Sequence, residues 1–241
     1  MEETADMERM RKQKRYTKKI NDIERLTPEE IVKKILSVTD PTYRAIYDIA
    51  FLTGARVTEV CTMRKEDVDF DLANKRFILT MLTEKRRSDN NKIKTVFVSA
   101  AHNQEFLALM DDFASYWLAR RLGDIAPEAY IFGDPGFFEV TKTYQVTEKQ
   151  PDGTVKKVNK TKTYNDNHMR FRISTFCNKQ LGLNPHLLRH ARAHYIAFAD
   201  KEEYKKYDRM LLIQNVFNFA RLESAQKYVG KMDEKQKKEV F

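Results

Sequence analysis

The sequence is poor in cysteine, and the two it has, Cys61 and Cys177, lie far apart. Two such residues build neither a disulfide framework nor a zinc pattern, so a reducing, intracellular setting is expected. No apolar run approaches the length of about 20 residues that a membrane-spanning helix needs. The chain opens Met1-Glu2-Glu3 and then turns basic, with no apolar stretch, which excludes a secretory signal at this point. No segment recurs at a spacing of roughly 20 to 50 residues, which excludes solenoids and propellers.

What is present is enough for one large domain with a short appendage: 241 residues, of which 41% are apolar. Lysine and arginine number 44 against 35 acids, a formal net charge of +9. A surface of that sign suits nucleic acid, because phosphate contacts supply the sequence-independent part of binding, although lysines also serve solubility. Residues 1–26 lack an apolar period and form a basic N-terminal tail. Between Arg9 and Lys19 there are seven Lys/Arg and no acid. This reads either as a solvated tail or as an arm lying along DNA.

From residue 27 the pattern is that of a folded domain. Thr27-Pro28-Glu29-Glu30 is a helix start, with Thr as N-cap, Pro in the first turn and Glu completing a capping box. A second helix is predicted over about 41–52, ended by Gly54, and a third from Val57. Residues 76–82 and 94–99 read as two strands of a long hairpin joined by a polar stretch. Residues 103–121 are predicted helical, with Phe106, Leu107, Met110, Phe113, Trp117 and Leu118 on the apolar face. Residues 139–164 carry alternating Thr, Val, Tyr and Lys on either side of Gln150-Pro151-Asp152-Gly153. A Lys-Thr-Tyr triplet occurs on each flank, at 142–144 and 162–164, so a β-hairpin insertion is expected. It is either a plain surface insertion or, given Lys142, Lys156, Lys157, Lys160 and Lys162, a DNA-contacting one. Helices follow at about 168–180, 185–200, 208–217 and from 222 onward. The fold class is therefore mainly α with a small antiparallel β-sheet, the sheet being built from the 76–99 hairpin.

Four pieces carry chemistry. Thr53-Gly54-Ala55-Arg56 places an arginine just past a helix end, with Glu59 three residues on. The polar hairpin holds Lys85 near its start. In His186-Leu187-Leu188-Arg189-His190, positions i and i+3 put His186 and Arg189 on one helix face. Tyr228 lies on an amphipathic segment near the C-terminus. His186, His190 and His194 also share a face, as metal ligands can, but no Glu separates the first pair and no fourth ligand is evident, so no metal and no cofactor are expected.

These pieces resemble the tyrosine recombinase family of phage-type integrases. Residues 53–60 look like its Thr-Gly-x-Arg-x-x-Glu box. Asn184-Pro185-His186-Leu187-Leu188-Arg189-His190 looks like its Pro-His-x-Leu-Arg-His box. Residues 213–229 look like the segment ending in the nucleophilic tyrosine, and Ile131-Phe132-Gly133 stands where Leu-Phe-Pro is frequent. The resemblance spans about residues 27–241 and implies the tyrosine recombinase catalytic-domain fold. It also implies a DNA breaking-rejoining enzyme, acting in the cytoplasm on double-stranded DNA, that assembles up to a tetramer on paired sites. By the same resemblance Arg56 and Arg189 clamp the scissile phosphate, Lys85 protonates the leaving 5′-oxygen, His186 is the acid/base histidine and Tyr228 is the nucleophile. Arg86, Arg87, Lys92 and Lys94 compete with Lys85 for its role.

One position departs from the family. A second His, or a Trp, normally stands nine residues before the nucleophile; here it is Phe219, which cannot donate a hydrogen bond to phosphate. Asn218 or Arg221 could replace that donor, or activity is reduced. Two alternatives therefore stay open: a type IB-like topoisomerase, and a catalytically inactive DNA-binding relative. Residues 1–26 are too few to form the family's N-terminal core-binding domain, so the chain is expected to be either an excised catalytic domain or a naturally short recombinase.

Overall fold

A computed structural model describes residues 26–83, 93–123, 125–150, 154–180, 185–198 and 209–217. Helix α1 (Pro28–Leu36) starts as its sequence dictates. Glu30 N–H donates to Thr27 Oγ1 at 3.2 Å, and the Glu30 carboxylate accepts from Thr27 N–H at 2.8 Å. Helix α2 (Pro41–Thr53) is capped by Asp40, whose side chain accepts from the amides of Thr42 and Tyr43. Every residue of α2 from Ala45 to Thr53 is buried, so this helix is the axis of the core. It packs against α3 (Val57–Cys61), α4 (Leu107–Leu122) and α6 (Pro185–Phe198).

A three-stranded antiparallel sheet covers one side, in the order β1 (Val68–Asp71), β2 (Arg76–Leu82), β3 (Ile93–Ser99). The hairpin expected at 76–99 is present, with Leu82 opposite Ile93. Strand β1 was not anticipated, although Val68 and Phe70 alternate with two aspartates. The Asp71 carboxylate accepts from the Asn74 backbone amide at 3.1 Å and so closes the turn into β2. Phe77, Leu79 and Met81 of β2 point inward, and Phe77 meets Phe113 and Trp117 of α4 edge-on at 5.1 and 5.7 Å. Trp117 is a core residue, as its spacing implied. Leu118 is not: it is 48% exposed, and fully buried Leu109 faces the core from α4 instead. At 3.6 residues per turn, Leu118 falls about 100° round from Trp117 and off the stripe.

The second hairpin consists of β4 (Phe137–Lys149) and β5 (Val155–Asn167), two long strands that among the described residues pair only with each other. It extends two to three residues beyond the expected 139–164 at both ends. Gln150 N–H donates to the Thr154 carbonyl at 2.8 Å next to the turn, whose residues 151–153 lie outside the described set. Helix α5 (His168–Gln180) follows directly, and α6 and α7 (Arg209–Val216) form a small second core through Ala193, Ile196, Ala197, Ile213 and Phe217. The fold is thus mainly α with small antiparallel sheets. The basic tail up to residue 25 and the segment from 218 onward lie outside the described residues.

Candidate active site

The Arg56 position is built from the end of α2. The Thr53 hydroxyl donates to the Ile49 carbonyl at 2.5 Å and accepts from Ala55 N–H at 3.1 Å. Gly54 adopts a left-handed conformation, φ 61°, that reverses the chain at low steric cost. Arg56 then becomes the N-cap of α3. Glu59, three residues on, holds it twice: one carboxylate oxygen accepts from Arg56 Nη1 at 2.7 Å, the other from Arg56 N–H at 3.1 Å. Backbone and guanidinium are therefore fixed by a single side chain.

Glu59 is 1% exposed, and its second oxygen also accepts from Lys94 Nζ at 3.2 Å. Burial pushes the Glu59 carboxyl up, but the charges of Lys94 and Arg56, with hydrogen bonds from Arg56, outweigh it and hold it below the usual carboxylate range. Lys94 is itself buried. Burial holds its ammonium below the ordinary lysine value, and Arg189 and Arg56 push the same way, against the pull of Glu59. Lys94 thus stands behind Arg56 as a buried ion-pair partner and is not among the residues lining the cleft.

His186 and Arg189 lie near the start of α6, on one face as their spacing requires. His186 is exposed and meets His190 edge-on, ring centroids 5.2 Å apart. Arg189 is 1% exposed. Its guanidinium donates to the Gly54 carbonyl and, at 3.1 Å, to the Phe217 carbonyl, and lies 4.6 Å from the centroid of the Phe217 ring. It therefore joins three segments: the turn before Arg56, the start of α6 and the end of α7. His194 packs against Phe198 at 4.5 Å, and burial holds it below the ordinary histidine value. Among the described residues no group of three His, Cys, Asp or Glu is placed to hold a metal ion.

Arg56, His186 and Arg189 come together along one cleft of about 740 Å³. The rest of its wall comes from Lys142, Lys162 and Tyr164 of the second hairpin and Arg170 and Ser174 of α5; sequence reasoning had raised Lys142 and Lys162 as candidate DNA contacts but had placed none of the five beside the other site residues. The mirrored Lys-Thr-Tyr triplets were the available signal, since Lys142 and Lys162 turn out to be direct cross-strand partners. Asp166 also lines the cleft and forms a close ion pair with Arg170. Lys85 and Tyr228 lie outside the described residues, as do Arg86, Arg87, Lys92, Asn218, Phe219 and Arg221.

The sequence profile of the phage integrase family matches residues 24–235, and the chain belongs to that family. Among solved structures, XerA recombinase is similar at 21% identity and a TM-score of 0.51, over 89% of this chain and 61% of that one. The XerH site-specific recombinase in a post-cleavage complex with palindromic difH substrate is similar at 16% identity and a TM-score of 0.50, over 88% of this chain and 50% of that one. These likenesses define the fold. The chain spans half to about three-fifths of the length of both neighbours. No curated protein sequence matches it.

Proposed function

We propose that this chain is the catalytic part of a site-specific DNA recombinase that cuts and rejoins double-stranded DNA through a 3′-phosphotyrosyl intermediate. The observation that carries the proposal is the convergence of Arg56, His186 and Arg189 on one cleft, although Arg56 is far from the other two in sequence. Two guanidiniums suit a phosphate undergoing substitution because they stay charged: Arg56, the more accessible, offers donors to its oxygens, and Arg189, buried and bonded to the Gly54 and Phe217 carbonyls, adds positive charge behind it. In the proposed step the Tyr228 oxygen attacks phosphorus, the bond from phosphorus to the 5′-oxygen breaks, and a proton passes to that oxygen, leaving a free 5′-hydroxyl. His186 takes the proton that the Tyr228 hydroxyl loses as it attacks, and Lys85 supplies the one the leaving oxygen takes. The phosphodiester energy is kept in the tyrosyl ester, so rejoining requires no nucleotide cofactor.

The reading takes residues 27–241 as one catalytic domain behind a basic tail, working inside the cell. No described helix is long and apolar enough to cross a membrane. It further takes the protein as a monomer in solution that assembles up to a tetramer on paired sites.

The test is a nicked suicide duplex incubated with the chain in EDTA. A covalent adduct should form, and Tyr228→Phe should abolish it while leaving DNA binding nearly unchanged. An adduct that persists in Tyr228→Phe, or cleavage strictly dependent on Mg²⁺, would overturn the assignment. A two-site strand-joining assay separates the recombinase from a topoisomerase, which would relax supercoils without joining two sites.

A further inference from the structure

The register of the β4–β5 ribbon sorts its side chains onto two unlike faces. Residues directly opposite each other in an antiparallel pair project to the same side. One face therefore carries the pairs Val140 with Tyr164, Lys142 with Lys162, Tyr144 with Lys160, Val146 with Val158, and Glu148 with Lys156. The other carries mainly uncharged polar pairs, among them Thr141 with Thr163, Thr143 with Thr161 and Gln145 with Asn159. Lys142, Lys162 and Tyr164, all on the first face, line the cleft that holds Arg56, His186 and Arg189. The basic face is thus continuous with the candidate active site, whereas the other face reaches the cleft only through Asn165 at its base.

Two lysines directly opposite one another repel, and they do so here beside three arginines of the same cleft. Among the described residues little offsets this. The Lys142 ammonium sits 5.5 Å from the Tyr164 ring centroid, and the cleft carboxylate of Asp166 is already paired with Arg170. Further out, Lys160 is held by Glu148 at 2.6 Å, while Lys156 continues the row. A polyanion lying along the ribbon would relieve the repulsion.

We propose that this face of the ribbon holds the phosphate backbone of the duplex flanking the scissile phosphate, with Lys142 and Lys162 as the near contacts and Lys160 and Lys156 as the far ones. This rests on the reading of the cleft as a DNA-cutting site. From Lys162 to Lys156 the strand advances roughly 20 Å, the axial span of about six phosphates of one DNA strand. The contact is to backbone and is indifferent to base sequence. The ribbon thereby supplies one wall of the DNA channel.

The test is binding of a fluorescent duplex of about 30 base pairs by the full chain carrying Tyr228→Phe, measured from 50 to 200 mM salt. Each phosphate contact contributes close to 0.9 to the slope of log affinity against log salt. The double substitution Lys142→Gln, Lys162→Gln should lower that slope by nearly two, and Lys142→Arg with Lys162→Arg should restore it. Lys157→Gln, on the neutral face, should leave the slope unchanged. All of these residues are exposed, so folding is not at stake. If the parent chain binds DNA with salt dependence but the double substitution leaves the slope intact, the ribbon proposal falls and the cleft reading stands. If Lys157→Gln lowers the slope by as much per charge, the effect is diffuse charge and the ribbon face has no special part. If the parent chain shows no salt-dependent duplex binding, both readings fall together.

Discussion

The ring of Phe217 fills the space beside Gly54 that a β-carbon would occupy: a Cβ built on Gly54 would lie 2.0 Å from Phe217 Cε1. Gly54→Ala therefore meets two penalties. The left-handed conformation disfavours any L side chain by about 1 to 2 kcal/mol, and the ring must move. Because Arg189 donates to the carbonyls of both residues, the displacement reaches the cleft. Urea denaturation should show a loss of more than about 2 kcal/mol, accompanied by loss of covalent adduct. A Gly54→Ala protein of unchanged stability would mean that Phe217 does not pack there.

Glu59 should govern the acid limb of stability. Its folded-state carboxyl is held below the ordinary value, so its stabilisation is complete above the unfolded value and is lost as pH falls through the folded one. Glu59→Gln removes a buried countercharge from Lys94 and should cost about 3 kcal/mol at pH 7. The gap between parent and variant should narrow below about pH 4. A gap that stays constant down to pH 2 would assign the loss to packing instead of charge.

Asp48 should behave in the opposite sense. It is fully buried on α2, and burial, then the neighbouring Asp112, holds its carboxyl well above the usual range against the pull of Arg44. A raised folded-state value means stability falls as pH rises from the unfolded value through the folded one. Asp48→Asn should thus stabilise the protein at pH 7, on the order of 1 kcal/mol, with no gain near pH 3. Destabilisation at pH 7 would show that the charged form is the one the core favours.

Lys85 and Lys94 should be separable by the chemistry of the leaving group. A duplex whose 5′-bridging oxygen is replaced by sulfur expels a thiolate, which departs without protonation. Lys85→Gln should slow cleavage of the ordinary duplex by a hundredfold or more and be rescued on the sulfur-bridged one. Lys94→Gln, acting through Glu59 and Arg56, should impair both alike. Rescue of Lys94→Gln alone would transfer the general-acid role to Lys94.

Local rules accounted for much of this architecture. Thr27-Pro28-Glu29-Glu30 specifies its own capping box, and Gly54 its own left-handed turn, because both effects reside in a few adjacent residues. His186 and Arg189 are one helical turn apart, so their shared face follows from helix geometry alone. What the sequence could not display is what depends on distant partners. Arg189 is oriented by Gly54 and Phe217, and Lys94 is buried by Glu59. The second hairpin was legible as a hairpin, but not as a wall of the cleft, since its register fixes which lysines share a face and the fold decides where that face points. Strand β1 escaped because four residues with two aspartates give too short an alternation to count.

The burial of α2 from Ala45 to Thr53 bears on how the molecule opens. Those amides sit where exchange with solvent requires the whole core to come apart, so they should be among the slowest to take up deuterium. Arg56 stands three residues beyond them and inherits that rigidity. The β4–β5 ribbon is bonded chiefly to itself and exposed along much of its length, so its amides exchange through openings that leave the core closed. One side of the cleft is therefore an anvil and the other a leaf, and under the proposed function a duplex entering between them would bend the leaf without disturbing Arg56, the arginine proposed to hold the phosphate oxygens.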